Sequence, residues 1–192
     1  QQCTLTELGA SMAEMPIEPR LAKCLLSSYG FGCGEEVLSI AAMCAVEYPF
    51  ITMRAKANQE AKQRLLDCIG EFVSLQGDHI TLLNIYNGFQ DSNYDSRWCN
   101  SMCLQYKILC RAREVRKNLQ ILLEKYAAEG DVICSCGEDV VPVKKCLISG
   151  YFSNAAQLAS SGAYFTVRGR VPVSVYSSSV FARFGTPPEW VI

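Results

Sequence analysis

RWCNSMCLQYKILCRAREVRKNLQILLEKY, residues 97–126, joins a long helical pattern to a concentration of positive charge. Leu109, Val115, Leu119 and Leu122 recur at helical spacing and, with Trp98, make a core-facing stripe. Asp95 or Ser96 supplies the N-cap, so the segment reads as the longest helix of the chain, from about 97 to 126. The same residues hold 7 Lys/Arg against 2 Asp/Glu, a net of +5. Residues 1–96 hold 6 against 12, and residues 127–192 hold 5 against 5, so a formal net charge of −1 conceals one concentrated cationic segment. A basic face of this kind can hold phosphates on a molecule that is near neutral as a whole. Lys107 and Arg111, four apart, share a helix face; Arg113, Arg116 and Lys117 form a neighbouring stripe. Guanidinium forks and mobile ammonium groups at repeated spacing suit phosphate oxygens. Solvated helix faces are also commonly basic, and Arg113 has acidic helices elsewhere in the chain to pair with.

Outward from this helix the pattern stays helical toward the N-terminus. Thr4-Leu5-Thr6 reads as a short strand. Leu8, Met12 and Met15 follow at helical spacing until Pro16 and Pro19 break it. A second helix carries Leu21, Cys24 and Leu25 and stops at the Gly30, Gly32, Gly34 cluster. Glu35 and Glu36 suit the positive end of a third helix, with Val37, Ile40, Ala41 and Cys44 as its buried stripe and Tyr48-Pro49 as its end. Residues 54–72 fit another, and Gly77-Asp78 opens one that runs to about residue 90. Beyond Gly130 the character changes. Val140–Ile148 reads as a helix ended by Gly150, with a short helical stretch at Asn154–Leu158. Tyr164–Val167, Val171–Tyr176, Val180–Phe184 and the closing Trp190-Val191-Ile192 read as strands. The fold class is therefore mainly α with a C-terminal β part. A start without methionine and a terminal strand of three apolar residues suggest an excised piece of a longer protein.

Composition narrows the function. A hydrophobic share of 49% supports a packed core, and no apolar run is long enough to span a membrane. The 11 cysteines are odd in number and many lie in apolar runs, so they read as buried free thiols in a reducing compartment. Cys134-Ser135-Cys136 has too short a spacing for a zinc knuckle, and no metal is expected. There is no phosphate-binding loop, no nucleophile elbow and no zinc-protease motif. The single histidine, His79, follows a helix-capping Asp78. No catalytic residue emerges.

Several segments resemble one family in order: LTELGASMAEMPIEPRLAKCLL at Leu5–Leu26, GCGEEVLSIAAM at Gly32–Met43 and GDHITLLNIYNGF at Gly77–Phe89. Then come RAREVRKNL at Arg111–Leu119, GYFSNAAQLASSGAYFTV at Gly150–Val167, and the closing PPEWVI. Together they resemble the region after the second RecA-like domain of DEAH-box RNA helicases, including those of pre-mRNA splicing. The resemblance implies the end of a winged-helix domain at residues 1–18, a helical ratchet-like domain at 19–138, and the first part of an OB-fold-like barrel at 139–192. It also implies a non-catalytic accessory region lining a single-stranded RNA channel and docking on the RecA-like motor domains of its own chain. ATP and Mg would belong to that parent motor, and no cofactor to this region. A G-patch or spliceosomal protein is the implied partner and the nucleus, or the cytoplasm, the implied location. The alternative is a docking scaffold for G-patch-type partners with incidental RNA contact. The family shows His-Pro where this chain has Tyr176-Ser177, and commonly an Arg at the position of Phe165.

On this reading the candidate RNA contacts are Lys107, Arg111, Arg113 and Arg116 on the long helix, and Arg168 and Arg170 flanking Gly169 at a hairpin tip. Ser178 and Ser179 in a polar run, Asn154, and Tyr164 as a stacking platform complete the set. Each C-terminal candidate has an ordinary structural reading beside the functional one: turn, cap or core aromatic.

Overall fold

The computed structural model describes residues 4–52 and 58–192. Thr4–Thr6 is not a strand. Thr6 is the N-cap of α1 (Glu7–Glu14), its hydroxyl accepting the Gly9 N–H at 3.1 Å, and Leu5 is 73% exposed. A capping threonine and a strand threonine are indistinguishable until the next turn of chain is placed. Pro19 occupies the first turn of α2 (Pro19–Phe31), where its missing N–H costs nothing, and Gly32 ends the helix at φ 63°. α3 (Gly34–Cys44) follows at once. α4 (Gln59–Gly70) is capped by the Asn58 side chain; the expected start of this helix at 54–57 lies outside the described residues. α5 (Asp78–Asp91) begins after Gly77, at φ 128°.

The long helix is divided. α6 (Ser96–Ser101) is capped by Asp95, and α7 (Tyr106–Lys125) begins after a turn in which Cys103 adopts φ 55°. Long-range pairing accounts for the break. Leu104 forms a β-bridge with Phe50, the Ile51 N–H donates to the Cys103 carbonyl at 2.9 Å, and the Gln105 amide donates to the carbonyls of Tyr48 and Phe50. Helical spacing continues through residues 102–105, but spacing cannot report a partner strand.

α8 (Val140–Tyr151) packs along α2, which brings the segment after residue 138 into the helical core. Two apolar clusters result. One joins α2, the first half of α3, the start of α5, the end of α7 and α8, through residues such as Leu25, Ile40, Leu83, Leu119, Leu123 and Val143. The other gathers Met43, Phe50, Ile69, Phe72, Tyr86, Phe89, Leu104 and Leu109. α7 spans both, so the basic helix is anchored at each end by apolar burial.

A 3-10 turn (Phe152–Asn154) leads to β1 (Ala156–Leu158), β2 (Tyr164–Thr166), β3 (Pro172–Val173), α9 (Val180–Arg183) and β4 (Trp190–Val191). The sheet is antiparallel in the order β3-β2-β1-β4, with Leu158 opposite Tyr164 and Ala156 opposite Val191. The chain is thus a helical bundle followed by a small partial barrel. Three local expectations fail. Residues 156–158 are strand rather than helix because β1 is paired on both sides. Pairing in 171–176 is confined to Pro172–Val173. Val180–Arg183 is helical, because the Ser179 hydroxyl caps it and the Asp78 carboxylate of α5 accepts the Val180 N–H at 2.8 Å. Those caps override the β-leaning composition of Val180 and Phe181.

Candidate nucleic-acid interface

α7 presents the expected cations, but they are not equivalent. Leu109, Ala112, Leu119 and Leu123 are buried, and this face fixes which basic residues can reach solvent. Lys107, Arg111, Arg113 and Lys117 are exposed. Arg116 is not; only 16% of its side chain is accessible. Its guanidinium donates to the Ser39 hydroxyl at 3.0 Å, to the Glu35 carbonyl at 3.4 Å and to the Glu35 carboxylate, and it lies 5.8 Å from the Tyr86 ring centroid. Arg116 therefore ties α7 to α3 and is withdrawn from the candidate phosphate surface. Its place at 116 puts it near the buried stripe, a signal that helical geometry carries once Leu119 and Leu123 are known to point inward.

Magnitudes sort the rest. Arg111 lies 3.8 Å from Glu47, with both side chains well exposed at 65% and 75%. Exposed pairs of this kind contribute about 0–1 kcal/mol, so a phosphate can displace Glu47 at small cost. Arg113 sits with its guanidinium 4.0 Å from the Tyr94 ring centroid. A cation over an aromatic face gains about 0.5–1 kcal/mol at an exposed site, and it leaves the guanidinium edge open to an anion. Tyr94 itself stands at φ 61° after Asn93 at φ 58°, a pair of left-handed residues that turns the ring back onto Phe89. Sequence reasoning missed Tyr94; the polar run Asp91-Ser92-Asn93 was its sole local signal. Lys125, the last cation of α7, pairs with Glu14 at 2.5 Å, which raises the ammonium pKa and lowers that of the carboxyl.

The C-terminal candidates divide in the same way. Arg168 and Arg170 are exposed at the β2–β3 hairpin tip, with Gly169 at φ 88° and Arg170 at φ 54°. Thr166 braces that tip, its hydroxyl donating to the Arg168 carbonyl and accepting the Val171 N–H. Ser178 is exposed. Ser179 is 7% exposed and spent on capping α9. Tyr164 is 5% exposed and its hydroxyl donates to the Pro188 carbonyl at 2.5 Å, so the ring is core and not a stacking platform. Asn154 accepts a hydrogen bond from Arg20 at 2.9 Å, linking the 3-10 turn to the start of α2. Beside it Lys23 lies over the Phe152 ring at 5.1 Å. Arg20 and Lys23, three apart on α2, are cations that sequence reasoning did not single out.

The ties between the β part and the bundle run through α2 and the start of α5: Arg20 to Asn154, and Asp78 to Val180. The α7 ridge and the Arg168–Arg170 tip are thus carried by different elements, held to one bundle. Among the described residues no group of three or more His, Cys, Asp or Glu side chains could hold a metal, and no helix is long and apolar enough to cross a membrane.

Residues 18–82 match the ratchet-like helicase associated domain family, HA2. The chain is 41% identical over 198 residues to the Probable ATP-dependent RNA helicase DHX35 of Homo sapiens, and 40% identical over 193 residues to that of Pongo abelii. The alignments cover 100% of this chain and 26% of each relative. It is 37% identical over 189 residues to the Pre-mRNA-splicing factor ATP-dependent RNA helicase prp22 of Schizosaccharomyces pombe, covering 98% of this chain and 15% of that protein. The chain therefore spans about a quarter of the length of the first two relatives.

Proposed function

We propose that this chain, which matches the ratchet-like helicase associated domain family over residues 18–82 and resembles DEAH-box RNA helicases along its whole length, is a C-terminal, non-catalytic part of an ATP-dependent RNA helicase. In this reading it lines the path of a single RNA strand and docks on RecA-like motor domains of its own chain, which hold ATP and Mg. The observation that carries the reading is the solvent-facing cation set of α7 (Lys107, Arg111, Arg113 and Lys117) fixed by apolar burial at both ends of the helix. Arg168 and Arg170 at the hairpin tip form a second contact. Exposed Arg and Lys side chains of this kind meet phosphate and sugar, contacts that are indifferent to sequence. Pre-mRNA splicing or another ribonucleoprotein remodelling step, in the nucleus, is the setting suggested by the splicing-factor relative. G-patch or spliceosomal proteins are the partners that go with it.

Fluorescence anisotropy with a labelled oligouridine tests this directly. At about 50 mM salt the K107A/R111A/K117A variant is expected to bind about tenfold more weakly than the unaltered chain. Its plot of log affinity against log salt should be shallower by about 2, since each phosphate contact to a single strand contributes about 0.7. Equal affinity and equal slope would remove α7 from the interface. A competing reading, a protein-docking scaffold with incidental RNA contact, draws on the exposed Leu5, Leu8 and Trp190 side chains. It predicts that neither protein binds the oligouridine measurably.

A further inference from the structure

Cys68 of α4 and Cys103, in the turn between α6 and α7, bring their sulfurs to 3.1 Å, the Cys68 thiol donating to Cys103. The Ser101 carbonyl, at 3.6 Å, is a second acceptor for the same thiol. Both cysteines lie just under the surface, 8% and 5% exposed. Cys33 and Cys146 also hydrogen-bond to each other, but both are fully buried. The two sides of the outer pair are held very differently. Cys103 stands at φ 55° with its carbonyl accepting the Ile51 N–H, and Leu104 beside it pairs with Phe50, so its backbone is pinned. α4 buries only Cys68 and Ile69, which makes it the more weakly held partner. A disulfide draws two sulfurs to about 2.05 Å, so a movement of about 1 Å by α4 closes the gap.

We propose that Cys68 and Cys103 form a reversible disulfide in response to hydrogen peroxide, fastening α4 to the turn from which α7 starts. In a reducing compartment the pair rests as two thiols, and disulfides that form there are usually transient and redox-sensing. Burial and the contact with Cys103 push the Cys68 thiol up to about 11, so Cys68 keeps its proton and the first attack falls to Cys103. The Cys103 sulfur attacks one peroxide oxygen and the O–O bond breaks. The thiol proton leaves with the departing hydroxide as water, and Cys103 becomes a sulfenic acid. The Cys68 sulfur then attacks the Cys103 sulfur. The S–S bond forms, the S–O bond breaks, and the leaving hydroxide takes the Cys68 proton as a second water. Two electrons have passed from the thiol pair to one peroxide. A small thiol reductant returns them by exchange. This inference stands apart from the RNA reading, because it uses none of the candidate RNA contacts.

The test uses the whole chain, reduced, freed of reductant, exposed to hydrogen peroxide, alkylated, and digested with trypsin without further reduction. Mass spectrometry should find the peptide 65–97, which holds Cys68, linked to the peptide 98–107. Fragmentation should place the bond on Cys103 and not on Cys99, which shares that peptide, and dithiothreitol should undo it. The link closes a loop of about 35 residues, so oxidation should raise the thermal midpoint by about 5–10 °C. Peroxide should leave the midpoints of C68S and C103S unraised. The mapping on the unaltered chain keeps the proposal open to refutation even if either variant folds poorly. A bond to Cys99, a Cys33–Cys146 bond in its place, both thiols still open to alkylation, or no rise in midpoint on oxidation would each overturn the proposal.

Discussion

Replacing Gly150 with alanine is expected to lower the thermal midpoint of the chain by about 6–12 °C. A Cβ at this position would stand 2.3 Å from the Arg20 carbonyl oxygen and 2.5 Å from the Cys24 sulfur. One obstacle is backbone, so a rotamer change cannot relieve the overlap, and α8 must move off α2. Overpacking of this kind costs about 3 kcal/mol, at the upper end of the usual range, and a chain of this size loses about 2–4 °C per kcal/mol. The contact it would break is the seam through which α8 joins the helical core, with the Cys146 thiol donating to the Cys24 carbonyl at 3.0 Å. Gly30, in the same α2, is the control: no atom lies within 4 Å of its added Cβ. There alanine should be neutral or stabilising by up to about 1 kcal/mol through helix propensity. Circular dichroism melts of the two variants make the comparison.

Phe89→Ala should cost about 3–5 kcal/mol, the usual range for emptying a buried phenylalanine site. Phe89 is fully buried and meets two rings edge-on, Tyr94 at 5.1 Å and Tyr106 at 6.2 Å between centroids. The consequence reaches the candidate interface, because Tyr94 is the platform under Arg113. Denaturant titration should therefore show a large stability loss for F89A. F89L, which keeps most of the apolar volume, should lose about 1–1.5 kcal/mol.

How far the sequence could be read depended on whether an element's determinants were local. α2, α3, α5 and α8 announce themselves by apolar spacing and by Pro19, Gly32 and Gly77 at their ends, and all four form in the expected segments, but α3 stops at Cys44, short of Tyr48-Pro49, and α8 runs through Gly150 to Tyr151. Cys103, by contrast, lies in an unbroken helical pattern; its left-handed turn exists because residues about 50 positions earlier pair with Leu104 and Gln105. Val180–Arg183 has strand-like composition and is made helical by a carboxylate about 100 positions away. The interface shows the same limit. The charge run from 97 to 126 marked the correct helix, and Lys107 and Arg111 do face solvent. Arg116 belongs to the same run, but its direction is set by Glu35 and Ser39 on another helix. Tyr164 and Ser179 have the right chemistry for RNA and are consumed by internal hydrogen bonds.

In the proposed function one face of α7, with the β2–β3 tip, lies against a nucleic-acid strand. Photo-crosslinking of a 4-thiouridine oligonucleotide to the intact chain, with the modified residues located by mass spectrometry, tests it most directly. Adducts should fall within residues 106–118 and at the hairpin turn around Arg168–Arg170, and they should disappear at high salt. Adducts concentrated on α4 or on the Glu18 side of the bundle, with none on α7, would contradict the account.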